Sequence, residues 1–152
     1  MLQPELSGEE MMTGDPAAFL AAQLDKLEAT AKAAHPGPWR VVHDYYGPQV
    51  QSEVDGSDIC DERDHDHHAS YATGEPLRRG DCDHIALWGP DTVLRHIDAA
   101  RKQLLLHAVL FTGPDESWPV CSCCDDGYQQ QLDWPCPTIE LLAQGYGWSS
   151  DE

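Results

Sequence analysis

Three cysteines and one histidine in the last third of the chain constrain its fold more than any other feature. Cys121 and Cys124 form a CxxC pair, whose spacing lets two thiolates reach one metal ion. Cys136 precedes Pro137 and an apolar run, which predicts a position at a helix N-terminus, where the helix dipole favours an ionised thiol. His107 lies on the apolar stripe of a predicted helix. Bound to one ion, these side chains would tie three elements of the chain together.

Four protein ligands around one ion are typical of structural zinc, because catalytic zinc keeps one position open for water or substrate. We therefore expect a structural Zn²⁺ held by His107, Cys121, Cys124 and Cys136, with no catalytic residues. Three alternatives stay open from the residues alone. The CxxC pair can serve thiol redox chemistry, the thiols can be ordinary buried core residues, and Cys123 can replace a neighbouring cysteine as ligand.

The charge of the chain narrows the class of partner. The 152 residues include 27 Asp and Glu but only 9 Lys and Arg, which gives a formal net charge of −18. Affinity for nucleic acid depends on Lys and Arg that displace counterions from phosphates, so direct binding to DNA or RNA is disfavoured. Anionic membranes are disfavoured for the same reason. A protein partner with a basic surface is the remaining expectation, and the oligomeric state is left open.

The start of the chain predicts a leader followed by a helix. Residues 1–14 are read as a disordered leader, and their acidic sequence without a basic or apolar segment predicts a cytoplasmic protein. Asp15 and Pro16 are an N-cap and first-turn pair, after which leucines recur at helical spacing. The helix must end at His35, because Pro36-Gly37-Pro38 cannot continue it.

The rest of the sequence predicts a small antiparallel sheet, then helices. Trp39–Tyr46 alternates like a strand, Gly47-Pro48 predicts a turn, and Asp55-Gly56 is a hairpin signal. A polar loop over Asp61–Gly80 precedes a short helix at Asp83–Trp88 and a longer helix that begins near Pro90. We expect an α+β fold in one domain over residues 15–148, with the zinc-stapled part at about 105–145 and a tail at 149–152.

A second cluster of metal-binding residue types lies in the polar loop. The tract from Asp64 to His68 contains His65, His67 and His68, and His-x-His spacing can place two imidazoles on one ion. Cys60, Cys82 and His84 flank the loop and are further candidate ligands. This cluster supports an alternative function, a metal-dependent enzyme, whereas the sequence as a whole favours a protein without catalysis.

Several short motifs carry a resemblance to known proteins. They are Pro36-Gly37-Pro38-Trp39, Asp83-His84-Ile85-Ala86, Pro90-Asp91-Thr92-Val93-Leu94, and Cys121-x-x-Cys124 through Trp134-Pro135-Cys136-Pro137-Thr138. Together they resemble an uncharacterised family of actinobacterial and actinophage proteins of the zinc-binding type, which also has a histidine near the end of its long helix. The first three motifs are similar to Ead/Ea22-like phage proteins. The resemblance implies a phage or prophage accessory protein that binds a host or phage protein, with a minor virion component as a further alternative, and no particular reaction.

Overall fold

The computed structural model describes residues 14–44, 47–60, 79–128 and 130–149. The predicted leader lies outside the described residues except for Gly14. Within the described residues the chain forms four helices and six strands, in the order α1 (Pro16–Ala33), β1 (Trp39–Asp44), β2 (Gly47–Ser52), β3 (Asp58–Cys60), α2 (Arg79–Leu87), α3 (Pro90–Leu106), β4 (Val109–Thr112), β5 (Trp118–Asp125), β6 (Gln131–Asp133) and α4 (Pro137–Gly145).

These elements confirm the predicted α+β class. The chain divides into two compact units, one over Leu27–His96 and one that joins the residues up to Lys26 with those from Ile97 onward. The division falls within α1 and α3, so each of these helices contributes to both units. None of the described helices is long and apolar enough to cross a membrane.

The unit over Leu27–His96 contains the predicted antiparallel sheet, with the strand order β1-β2-β3. The β1–β2 register runs from Trp39 opposite Ser52 to Asp44 opposite Gly47. Gly47-Pro48 therefore begins β2, and the prediction of a turn at these two residues is wrong. Helix α2 packs on β1 and β2. It starts at Arg79, so the predicted helix start at Asp83 is too late. The predicted loop at Asp61–Gly80 lies outside the described residues except for its last two, which belong to α2.

The predicted hairpin turn at Asp55-Gly56 is confirmed. Gly56 has a φ of 72°, a conformation that favours glycine, and its N–H bonds to the carbonyl oxygen of Ser52. The Asp55 carboxylate accepts a hydrogen bond from the N–H of Ser57 at 3.0 Å. Ser52 is fully buried, and its hydroxyl donates to the carbonyl oxygen of Pro36 at 2.7 Å, which satisfies the buried polar group.

The other unit contains the start of α1 and the C-terminal elements. The Asp15 carboxylate accepts a hydrogen bond from the N–H of Ala17 at 3.0 Å, which confirms the predicted N-cap. Leu20 and Leu24 of α1 are fully buried. An ion pair of 2.7 Å between Asp25 and Arg101 joins α1 to α3 at the surface.

A second antiparallel sheet, with the order β4-β5-β6, lies in this unit and was not among the predicted elements. Val109 pairs with Cys121 and Thr112 pairs with Trp118, so β5 runs back along β4 immediately after a tight connection. The predicted zinc knuckle is therefore part of a sheet, and the short C-terminal helix predicted after it is α4.

Candidate metal centre

The structure brings the four predicted ligands together. One ligand atom from each of His107, Cys121, Cys124 and Cys136 lies within 4.8 Å of all the others. His107 directly follows α3, both cysteines of the CxxC pair lie on β5, and Cys136 is the N-cap residue of α4, as its sequence context predicts. The site therefore joins one helix end, one strand and one helix start.

The distances within the cluster match those around a common ion. The Nδ1 atom of His107 lies 3.5 Å from the sulfur of Cys121, 3.3 Å from that of Cys124 and 3.6 Å from that of Cys136. Tetrahedral zinc with Zn–N near 2.05 Å and Zn–S near 2.3 Å requires about 3.6 Å between nitrogen and sulfur. A single N–H can point at only one sulfur, so the near-equal approach of three sulfurs indicates ligands around one centre.

A break in the strand pairing lets both cysteines of the CxxC pair face the same side. In a regular strand, residues three apart point to opposite faces of the sheet. The β5–β6 register shifts between Val120 and Asp125: β5 advances five residues while β6 advances two, from Asp133 to Gln131, so β5 has three extra residues here. Cys121 and Cys124 thus both reach His107, whereas Cys123 is exposed and lies outside the group of ligand atoms. The structure therefore does not support Cys123 as a replacement ligand.

Apolar side chains enclose the site. Cys121, Cys136 and Ile139 are fully buried and form one cluster, against which Leu104, Trp134 and other partly buried residues pack. Such surroundings exclude water from the sulfurs, which strengthens the attraction between a cation and thiolates. The hydroxyl of Thr138 lies 3.9 Å from the sulfur of Cys124 at the more open side.

Two thiols of the site have displaced pKa values. Burial alone would raise the pKa of Cys121, but hydrogen bonds from the backbone N–H groups of Cys123 and Cys124 outweigh it, and with smaller contributions from the side chains of His107 and Cys136 they lower the pKa to about 7. Burial, together with hydrogen bonds to the thiols of Cys136 and Cys121, raises the pKa of Cys124 to about 11. Near neutral pH, the thiol of Cys121 is therefore partly ionised without any metal. The thiol of Cys124 keeps its proton, which a bound cation would have to displace.

The two remaining readings of these cysteines fit the geometry less well. Thiol redox pairs of the CxxC type sit at a helix start, where the dipole lowers the pKa of the first thiol, whereas Cys121 and Cys124 lie on a strand. At the end of this strand, the carboxylates of Asp125 and Asp126 accept backbone N–H bonds in a turn through Gly127. Ordinary buried thiols would have no reason to converge on one imidazole nitrogen.

The second predicted cluster receives no support from the described residues. His65, His67 and His68 lie outside them, so a metal site there stays a prediction. Cys60, Cys82 and His84 are described, but they do not join a group of three or more ligand atoms. Over the described ranges, the group around His107 is the one such cluster.

Sequence patterns identify the four ligands but not the backbone that positions them. The N–H groups of Cys123 and Cys124 that bond to the sulfur of Cys121 follow from the strand irregularity, which has no side-chain signature. The CxxC spacing is the one signal that indicates it, because two residues between the cysteines fit a tight loop around one ion.

Comparison with known proteins places the chain in a family. No curated protein and no solved structure matches it. A family model, described as a family of unknown function (DUF6221), matches residues 13–148. This range includes residues of both units and all four candidate ligands. The chain therefore belongs to the family of unknown function DUF6221.

Proposed function

We propose that the chain is a structural zinc protein that acts by binding another protein and has no catalytic activity. The observation that carries the proposal is the convergence of three cysteine sulfurs on Nδ1 of His107 at 3.3–3.6 Å. This spacing agrees with the tetrahedral coordination that zinc adopts with sulfur and nitrogen ligands.

The ligand types favour zinc over other ions. Calcium and magnesium prefer oxygen ligands, and none of the four ligand atoms is an oxygen. Three thiolates and one imidazole are a set found in structural zinc sites, where the ion contributes directly to folding. Zinc would be held by His107, Cys121, Cys124 and Cys136.

The same ligand set argues against catalysis at this site. Four protein ligands fill a tetrahedral ion and leave no position for substrate or an activated water. Cys121 and Cys136 are also fully buried, so a substrate has no path to the ion from their side. The role of the metal is to hold the helix end, the strand and the helix start in one arrangement.

The partner is proposed from charge and from the sequence resemblance. A net charge of −18 favours a basic protein surface over nucleic acid or an anionic membrane. The motifs that resemble actinobacterial and actinophage proteins support a cytoplasmic phage or prophage accessory protein that contacts a host or phage protein. The alternative role, a minor virion component, is tested by searching purified phage particles for this protein.

Elemental analysis of the purified full chain tests the metal assignment. We expect one zinc per chain in the wild type, loss of zinc in Cys121→Ser and in Cys124→Ser, and full zinc in Cys123→Ser. The last variant is a matched control, because Cys123 is an exposed thiol on the same strand. A wild type without zinc, or zinc retained when both Cys121 and Cys124 are changed, would contradict the proposal.

Affinity capture from host lysate tests the proposed role. The wild type should retain a specific protein that Cys121→Ser fails to retain and Cys123→Ser retains normally. A partner captured equally by all three would show that binding does not require the metal-bound fold. Turnover of a small-molecule substrate by the zinc-loaded chain would contradict the absence of catalysis.

A further inference from the structure

Exposed apolar side chains lie on β4 and next to it, beside the candidate metal centre, since Val109 pairs with Cys121. We call this surface the β4 patch. It consists of six side chains whose exposed fractions range from 37% to 78%: Leu105, Leu106, Val109, Leu110, Phe111 and Trp118. Monomeric proteins rarely expose a contiguous apolar area of more than a few hundred Å², and larger ones mark interaction sites.

Strand β4 is an open edge of its sheet. Among the described strands it pairs with β5 on one side and with none on the other. Its sequence, Val109-Leu110-Phe111-Thr112, contains neither a charge nor a proline. Proteins commonly protect exposed edges with charged residues or proline, because an unprotected edge pairs readily with another strand.

The side chains of β4 are apolar on both faces of the sheet. Val109 and Phe111 point to one face and Leu110 to the other, since successive residues alternate. Phe111 is 59% exposed and Leu110 is 44% exposed, so neither face of this strand is covered. A partner that fits such an edge must itself be an extended segment with uncharged, apolar side chains on both of its faces.

We propose that β4 pairs antiparallel with β4 of a second copy of the chain. A two-fold axis at Leu110 would pair this residue with its own copy and Val109 with Phe111 of the second copy, so that opposite side chains share a face. The two three-stranded sheets would then become one sheet of six strands. Such an interface is self-complementary, as in most homodimers. The proposal does not depend on the identity of the metal.

The surface fits a second copy in chemistry and in size. The β4 strand of a second copy meets this requirement, because it is uncharged and has apolar side chains on both faces. The exposed parts of the six side chains amount to on the order of 600 Å² per copy, compared with about 800 Å² per partner in a standard specific interface. A four-residue strand supplies few hydrogen bonds, so the side chains of the β4 patch must provide most of the affinity.

The effect of salt on binding distinguishes a second copy of the chain from a basic partner protein. Two chains of −18 repel each other, although the β4 patch contains no charged residue. Salt screens this repulsion, so the dimer should tighten as ionic strength rises. A basic strand from another protein would bind more weakly under the same change.

Sedimentation equilibrium of the zinc-loaded full chain over a range of protein and salt concentrations tests the proposal. We expect a monomer–dimer equilibrium that shifts toward dimer with added salt. Phe111→Lys should weaken dimerisation by roughly 30-fold or more, as for a central interface residue. Leu141→Lys is the matched control, since Leu141 is 67% exposed but lies on α4, outside the β4 patch.

Zinc content and circular dichroism of each variant show whether it is folded. If Phe111→Lys fails to fold, Leu110→Lys on the opposite face of the same strand replaces it. A wild type that stays monomeric at all concentrations overturns the proposal. So does a dimer that neither Phe111→Lys nor Leu110→Lys weakens, or one that Leu141→Lys disrupts equally. A wild-type dimer purified without zinc would contradict the metal assignment alone.

Discussion

At the scale of single residues, the thiols of the candidate metal centre differ in how readily they ionise. Hydrogen bonds from the backbone N–H groups of Cys123 and Cys124 lower the pKa of Cys121 to about 7, against the effect of its burial. Burial raises the pKa of Cys124 to about 11. A thiol must lose its proton to bind zinc. On the proposed zinc assignment, Cys121 would be the first ligand to bind, and Cys124 would ionise only when the ion arrives.

The lowered pKa of Cys121 predicts a change in the pH dependence of zinc affinity. Above pH 7 this thiol is already ionised in the metal-free fold, whereas below pH 7 zinc must displace one additional proton. The logarithm of the affinity should therefore fall by one further unit per pH unit below pH 7. Competition with a chromophoric chelator on both sides of pH 7 measures it, with Cys123→Ser as the control. An unchanged slope across pH 7 would contradict the pKa of Cys121.

At the scale of elements, each ligand is presented by the end or the irregular part of a helix or strand. Cys136 occupies the N-cap position of α4, followed by Pro137, and His107 follows the last residue of α3. Ile139, the third residue of α4, is fully buried and packs against Cys121 and Cys136. The helix thus contributes a ligand and part of the apolar wall.

A comparison of two residues on α4 tests that wall. Ile139→Ala should lower the free energy of unfolding by about 2–5 kcal/mol, because it removes buried methyl groups and leaves a cavity. Leu141→Ala, on the exposed side of the same helix, should change it by about 0.5 kcal/mol or less. Guanidinium unfolding of the zinc-loaded variants provides both values. Equal costs at the two positions would show that α4 is not packed as described.

The local elements are predictable because their signals are local. Asp15 caps α1, Asp55-Gly56 forms its turn, and Cys136 begins α4 because a few neighbouring residues determine each feature. The second sheet is different. The pairing of Val109 with Cys121 joins residues that neighbour each other only after the chain has folded back. The strand irregularity depends on register rather than on residue type, so the CxxC spacing is its one signal in the sequence.

At the scale of the whole molecule, the four candidate ligands belong to one of the two compact units. All lie beyond Ile97, whereas the sheet of β1, β2 and β3 lies in the unit over Leu27–His96. Structural zinc contributes about 10–16 kcal/mol of apparent folding free energy in zinc-finger peptides at neutral pH. A contribution of that kind would here stabilise one unit directly.

Removal of zinc should therefore loosen the chain unevenly. After treatment with a chelator, amide hydrogen exchange should accelerate in β5 and α4 while β1 and β2 keep their protection. Exchange monitored by mass spectrometry before and after chelation measures this, and readdition of zinc should restore the original pattern. A uniform acceleration, or none, would contradict a metal that acts on one unit.

The order of the ligands along the chain sets when the site can be completed during protein synthesis. His107 leaves the ribosome first, Cys121 and Cys124 follow 14 and 17 residues later, and Cys136 comes 29 residues after the histidine. Until Cys136 emerges, a nascent chain offers three ligands and an open coordination position. On the proposed zinc assignment, full zinc retention would be a late event of biosynthesis, and a ribosome that stalls before Cys136 would expose an incomplete, exchangeable metal site.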